Sequence, residues 1–171
     1  SQLVPRRHNA HAAVDSLHVL ILFDPDDKGS LPAALRARGH RVTAVDKQSG
    51  TDLLDADAQH RLIADLGSYH FVFMSPPCKT CCIQFDPPLR TKSHPLGSPD
   101  MNPKYRALVS EANDMYELCV RVILACDGHR IPWAVESAAA RDSWPCRWEQ
   151  YADNGFLWDI LRPRLQHISP E

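Results

Sequence analysis

The strongest constraint on the fold of this chain is a set of short apolar runs, each ending on a polar or reactive side chain. His18-Val19-Leu20-Ile21-Leu22-Phe23 stops at Asp24, and Arg41-Val42-Thr43-Ala44-Val45 stops at Asp46. Phe71-Val72-Phe73-Met74 runs straight into Ser75-Pro76-Pro77-Cys78, and Ile131-Pro132-Trp133-Ala134-Val135 closes on Glu136. The first and third, short and without polar alternation, suit strands buried on both faces, and Arg41 to Val45 reads as a further strand. The fourth run tolerates its proline if Pro132 sits at the strand start.

Helical patterns separate these runs. Ser30 is placed to cap a helix over Leu31 to Arg38, which Gly39 ends. Asp55 caps a second from Ala56 to Leu66, with Leu62, Ile63 and Leu66 on one face. Asn102-Pro103 opens a third, in which Tyr105, Leu108, Val109, Ala112, Met115, Tyr116, Cys119, Val122, Ile123 and Cys126 recur at steps of three and one up to Gly128. Strands alternating with helices predict an α/β fold: a single doubly wound, mostly parallel sheet with helices on both faces, a Rossmann-like arrangement. This domain spans 17–171. Residues 1–16, polar and without period, read as a flexible arm. The chain begins at Ser1 rather than Met, which points to a piece of a longer protein with neighbouring domains.

At 171 residues, 44% hydrophobic and 23% charged, the chain has room for one ordinary globular domain. Val19-Leu20-Ile21-Leu22-Phe23 is the longest apolar run, far below the roughly 20 residues of a membrane span, so no membrane partner is expected. A net charge of -2 and a pI near 6.5 exclude a uniformly basic nucleic-acid binder and leave local basic loops. The start lacks the apolar core of a secretory signal, which predicts an intracellular protein of nucleus or cytoplasm with reduced thiols.

In an open α/β sheet, ligands bind outside the carboxyl ends of the strands. Asp24, Asp46, the Ser75-to-Cys78 turn and Glu136 would all converge there. Each also has a plainer reading, since acidic residues often follow strands as turn starters or helix caps. Asp46 lies 22 residues after Asp24, the spacing at which an acid accepts hydrogen bonds from a ribose. The loop between them offers Gly29 alone, Pro25 lacks a donor, and Asp26 and Asp27 repel phosphate, which argues against a dinucleotide.

From Ser75 to Pro103 the chain holds seven of its 14 prolines, a loop long enough to be functional. Lys79, Arg90, Lys92 and Lys104 in and beside it are candidate nucleic-acid contacts, set against Asp86 and Asp100. Cys78, Cys81 and Cys82 form C-x-x-C-C, with His94 nearby, but a structural zinc site needs a second ligand pair, so no metal is assigned. Redox dithiols open a helix, whereas this cluster enters a proline-rich loop. Cys119 and Cys126 lie on the apolar helix face as core residues, and Trp144, Trp148 and Trp158 read as packing.

Phe71-Val72-Phe73-Met74-Ser75-Pro76-Pro77-Cys78, followed by Trp133-Ala134-Val135-Glu136-Ser137, resembles the catalytic pair of S-adenosylmethionine-dependent DNA methyltransferases, closest to the small cytosine-type proteins of phages and mobile elements. Leu22-Phe23, Gly29-Ser30, Ala33 to His40 and Val45-Asp46 resemble their cofactor half. Pro87-Pro88-Leu89-Arg90, His94-Pro95-Leu96-Gly97 and Leu157-Trp158-Asp159 are similar to further parts of the group. The resemblance implies a methyltransferase fold and S-adenosylmethionine held by Asp24, Gly29, Ser30, Asp46, Ser75 and Pro76. It also implies DNA as partner, Cys78 as nucleophile and Glu136 holding the base edge. The alternative is a catalytically inactive domain of a larger protein that kept the fold to bind nucleic acid or protein, to which the single loop glycine and Ser137-Ala138 after Glu136 point.

Overall fold

The most apolar run takes the most buried place. In the computed structural model, which describes residues 16–81, 85–136 and 157–165, β1 (His18–Leu22) is buried along its whole length. β2 (Arg41–Val45) pairs with it on one side and β3 (Phe71–Met74) on the other, and β4 (Trp133–Val135) lies beyond β3. All three pairings are parallel, so the chain is an α/β protein with one four-stranded sheet in the order β2-β1-β3-β4. Parallel neighbours need crossover connections, and the helical stretches supply them. β2 stands at an edge and is only half-buried; there Arg36 donates to the Val42 carbonyl at 3.0 Å, occupying an acceptor that another strand would otherwise use.

Side-chain alternation sends Leu20 and Leu22 of β1, with Val72 and Met74 of β3, into one core. Opposite them lie Leu62 of α2 (Ala56–Ala64) and Tyr116, Cys119, Ile123 and Cys126 of α3 (Arg106–His129), so the apolar stripe read from the sequence is the face that meets the sheet. Cys119 and Cys126 are core residues as expected. α1 (Leu31–Ala37) packs on β2 and contributes nothing to this core.

Caps fall where the side chains dictate. Ser30 accepts from the Ala33 amide at 3.4 Å, Asp55 from Ala58 at 2.7 Å, and Asn102 from Lys104 at 3.1 Å. Several boundaries differ from expectation: β1 stops at Leu22, α1 at Ala37, and β4 begins only at Trp133, after Pro132. α2 stops at Ala64, and Leu66 begins a separate 3-10 turn instead of ending the helix. Pro103 opens a 3-10 turn that only becomes α3 at Arg106. α3 runs through Gly128 and ends on Arg130, whose φ of 58° supplies the left-handed stop anticipated at the glycine.

The last helix, α4 (Leu157–Leu165), lies where the sequence reading places no element. Leu157, Ile160 and Leu161, at steps of three and one, are buried in the core and were the overlooked signal. Residues 1–15 of the expected arm lie outside the described residues, as do Cys82, Trp144, Cys146 and Trp148. Ser16, at the end of that arm, donates to the Gly39 carbonyl at 2.7 Å. No helix of the described residues is long and apolar enough to cross a membrane.

Candidate functional site

Parallel register brings the strand ends to one rim. Leu22 sits beside Val45 and Met74, and Met74 beside Val135, so the next residues emerge side by side. The ladder continues one step past each strand: Phe23 donates to Val45, Ser75 to Leu22 and Glu136 to Met74, at 3.0, 3.0 and 2.8 Å. Phe23 then takes a φ of 67°, costly for a bulky residue by about 1 kcal/mol or more, and turns the chain out at the rim.

The acids expected there do meet. Burial raises the Asp24 carboxyl above its ordinary value, and the negative charge of Glu136, then of Asp27 and Asp46, raises it further, while the Leu31 amide hydrogen bond opposes them. Asp24, two residues past β1, therefore ties the rim to the start of α1. The Ser75 hydroxyl donates to Glu136 Oε2 at 3.3 Å, bridging the tips of β3 and β4.

Other candidates perform local structural work. Asp46, 8% exposed, accepts from the Ser49 amide at 2.6 Å, which commits one carboxylate oxygen to its own turn. Ser30 is the α1 cap and also donates to Asp27 at 2.7 Å. Gly29 is exposed with a φ of 93°, and open space surrounds the position a Cβ would take. Pro76 is buried.

Cys78 is exposed at the head of a single 3-10 turn, Lys79–Cys81, closed by the Cys81 amide donating to the Cys78 carbonyl at 2.9 Å. The cysteine cluster opens a single 3-10 turn within the proline-rich loop. Before the turn, the Pro77 carbonyl accepts from the Tyr116 hydroxyl at 2.6 Å. Sequence reasoning placed Tyr116 only in the apolar stripe. Its phenol proton belongs to Pro77, so the Thr80 hydroxyl, 3.3 Å away, donates to Tyr116 in turn. Burial pushes the phenol further above neutrality, and it acts as a fixed donor rather than a base.

Arg90 departs most from expectation. Its side chain is 1% exposed, so it is no outward phosphate contact. Nε donates to Thr80 at 3.1 Å, one terminal nitrogen to Pro95 and Asn113 at 2.6 and 2.7 Å, and the other to Val109 at 3.3 Å. The guanidinium also stands 5.2 Å over the Tyr116 ring. Among the described residues no carboxylate pairs with it, and four neutral acceptors take that role. A directional series results, from Arg90 through Thr80 and Tyr116 to the carbonyl preceding Cys78. Asn113 adds a bond to the Leu96 carbonyl at 2.8 Å, so the proline-rich loop is fastened to α3 from both its sides.

Lys79, Lys92 and Lys104 are exposed, with Lys79 next to Cys78 and Lys104 at 4.8 Å over the Tyr105 ring. Among the described residues no three His, Cys, Asp or Glu side chains gather to hold a metal. A cavity of about 360 Å³ lies against α2, lined by Val45, Thr51, Leu62 and Tyr69 among others; neither Asp46 nor Cys78 lines it. Compared with protein-family models, curated proteins and solved structures, the chain matches none.

Proposed function

We propose that this chain is a doubly wound methyltransferase-fold domain that uses S-adenosylmethionine to methylate cytosine in DNA. The observation that carries the reading is the adjacency of the β3 and β4 tips, with Cys78 following one, Glu136 ending the other, and Ser75 hydrogen-bonded to Glu136 at 3.3 Å. Carbon 5 of cytosine is a weak nucleophile. A thiolate from Cys78 adding to carbon 6 would raise the electron density at carbon 5, and Glu136 would hold the ring nitrogen where charge develops. The base has to leave the duplex stack to reach either group. Lys79, Lys92 and Lys104 are the exposed cations suited to DNA phosphates.

The rim fits the cofactor in charge. S-adenosylmethionine carries a sulfonium and an ammonium group, and the charges of Glu136 and Asp46, which add to burial in raising the Asp24 carboxyl, favour a cation. Asp24, Gly29, Ser30, Asp46, Ser75 and Pro76 would hold it, and when bound it supplies an electrophilic methyl group. Ser75 keeps Glu136 against the β3 tip, and Tyr116 keeps the Pro77–Cys78 turn in place.

Trapping on DNA containing 5-fluorocytosine tests the chemistry. A covalent adduct that Cys78→Ser abolishes is the expected result, and wild-type protein without an adduct refutes it. The same acidity of the rim, repelling phosphate, and the single loop glycine favour a second reading, a non-catalytic domain of this fold. Calorimetry showing no heat with S-adenosylmethionine would select that reading.

A further inference from the structure

We infer that Cys78 and Cys81 form an oxidisable dithiol site that closes to an intramolecular disulfide under a hydroperoxide and reopens under a dithiol reductant. The geometry comes from the 3-10 turn, in which the Cys81 amide donates to the Cys78 carbonyl at 2.9 Å. Such a turn has three residues per revolution and rises about 2 Å per residue, so positions i and i+3 lie one above the other about 6 Å apart. That separation falls within the roughly 4.4–6.8 Å between Cα atoms that a disulfide spans. An extended segment with the same spacing would hold the two cysteines too far apart.

The two thiols differ as the reaction requires. Cys78 is exposed and meets the oxidant, while Cys81, 2% exposed, is sheltered from direct attack. The Cys81 sulfur lies 3.5 Å from the Tyr116 hydroxyl. Burial pushes the Cys81 thiol up, and the Arg90 charge works against that rise.

The steps balance. The Cys78 thiolate attacks the peroxide oxygen; the O–O bond breaks, the leaving oxygen takes a proton, and Cys78 becomes a sulfenic acid. Cys81 gives up its proton and attacks that sulfur. The S–S bond forms as the S–OH bond breaks, and the departing hydroxide leaves as water. Two thiols lose two electrons in all, and one hydroperoxide is reduced to water and an alcohol, or to two waters for hydrogen peroxide. A dithiol reductant reverses the change by exchange. The chemistry needs neither cofactor nor DNA. Its consequence, loss of the attacking thiolate on oxidation, rests on the function proposed above.

Trypsin cuts after Lys79, between the two cysteines, and so reads the bond directly. Full-length protein is treated with hydrogen peroxide, alkylated and digested. The expected result is that the peptide ending at Lys79 stays joined to the one beginning at Thr80 until a dithiol is added. Cys82 lies on that second peptide and outside the described residues, so variants assign the partner. Cys82→Ser is expected to keep the link and Cys81→Ser to lose it. No link in wild type, or a link that survives Cys81→Ser and disappears in Cys82→Ser, overturns the inference. Where Cys81→Ser does not fold, the Cys82→Ser result alone decides. Adduct formation on 5-fluorocytosine DNA by the reduced protein is measured separately, so failure of the link and failure of the proposed methyl transfer remain distinct results.

Discussion

Replacing Arg90 by methionine tests whether the internal clamp, rather than a surface charge, explains that residue. The side chain is 1% exposed and serves four acceptors on three segments: Thr80, Pro95, Asn113 and Val109. In the methionine variant half-buried Asn113 reaches water. The Val109 carbonyl keeps its helical bond from the Asn113 amide, whereas the Thr80 oxygen, 3% exposed, and the half-buried Pro95 carbonyl lose their donor; an orphaned buried acceptor costs about 1–3 kcal/mol. Opposing this, a guanidinium without a carboxylate partner carries a desolvation penalty that its removal returns. The four acceptors already offset most of that penalty, so the lost bonds win and the net loss is about 1–3 kcal/mol. Urea unfolding followed by circular dichroism measures it as a lower midpoint at similar slope. Arg90→Lys keeps the charge but has one nitrogen, which cannot span acceptors placed around a planar fork, and is expected to recover less than half of the loss. A methionine variant as stable as wild type, or a lysine variant equal to it, would refute the clamp.

Three further substitutions probe the rim and the loop. Tyr116→Phe removes the donor to Pro77, and is expected to cost about 1–3 kcal/mol and to speed amide hydrogen exchange at residues 78–81, read by mass spectrometry. Asp24→Asn keeps an acceptor for the Leu31 amide and removes a charge whose carboxyl is raised in the fold, above its ordinary 3.8, by burial and by Glu136. An acid raised in this way loses stability as pH rises through that range, so the variant is expected to melt higher than wild type at neutral pH, with the gap closing below about pH 3.8. Gly97→Ala places a Cβ 2.7 Å from the Met101 methyl and 3.3 Å from Val109 at a φ of 144°, and a loss of about 1–3 kcal/mol in thermal or urea unfolding is expected.

Local sequence was enough for the strands, the caps and the rim. Apolar runs such as Val19–Phe23 leave few alternatives to a buried strand, and a polar residue after each run has to emerge where the strand ends. Ser30, Asp55 and Asn102 cap their turns through bonds made within three residues, which depend on nothing distant. The α/β class and the convergence of Asp24, Asp46 and Glu136 were legible for the same reason.

Contacts between remote segments decided the rest. A basic residue in a polar loop looks like a surface cation, and only the approach of α3 to that loop turns Arg90 inward onto Thr80, Pro95, Asn113 and Val109. Tyr116 fitted an apolar stripe equally well as a hydrophobic ring or as a donor, until packing set its hydroxyl against Pro77. The Cys78–Cys81 turn lies in a proline-rich stretch whose helical geometry no local periodicity announces. Sequence alone determined which residues arrive at the strand tips, because backbone hydrogen bonding and burial act residue by residue. Tertiary structure determined which of them face outward and which are spent on holding the loop, because that depends on acceptors the chain brings together from far apart.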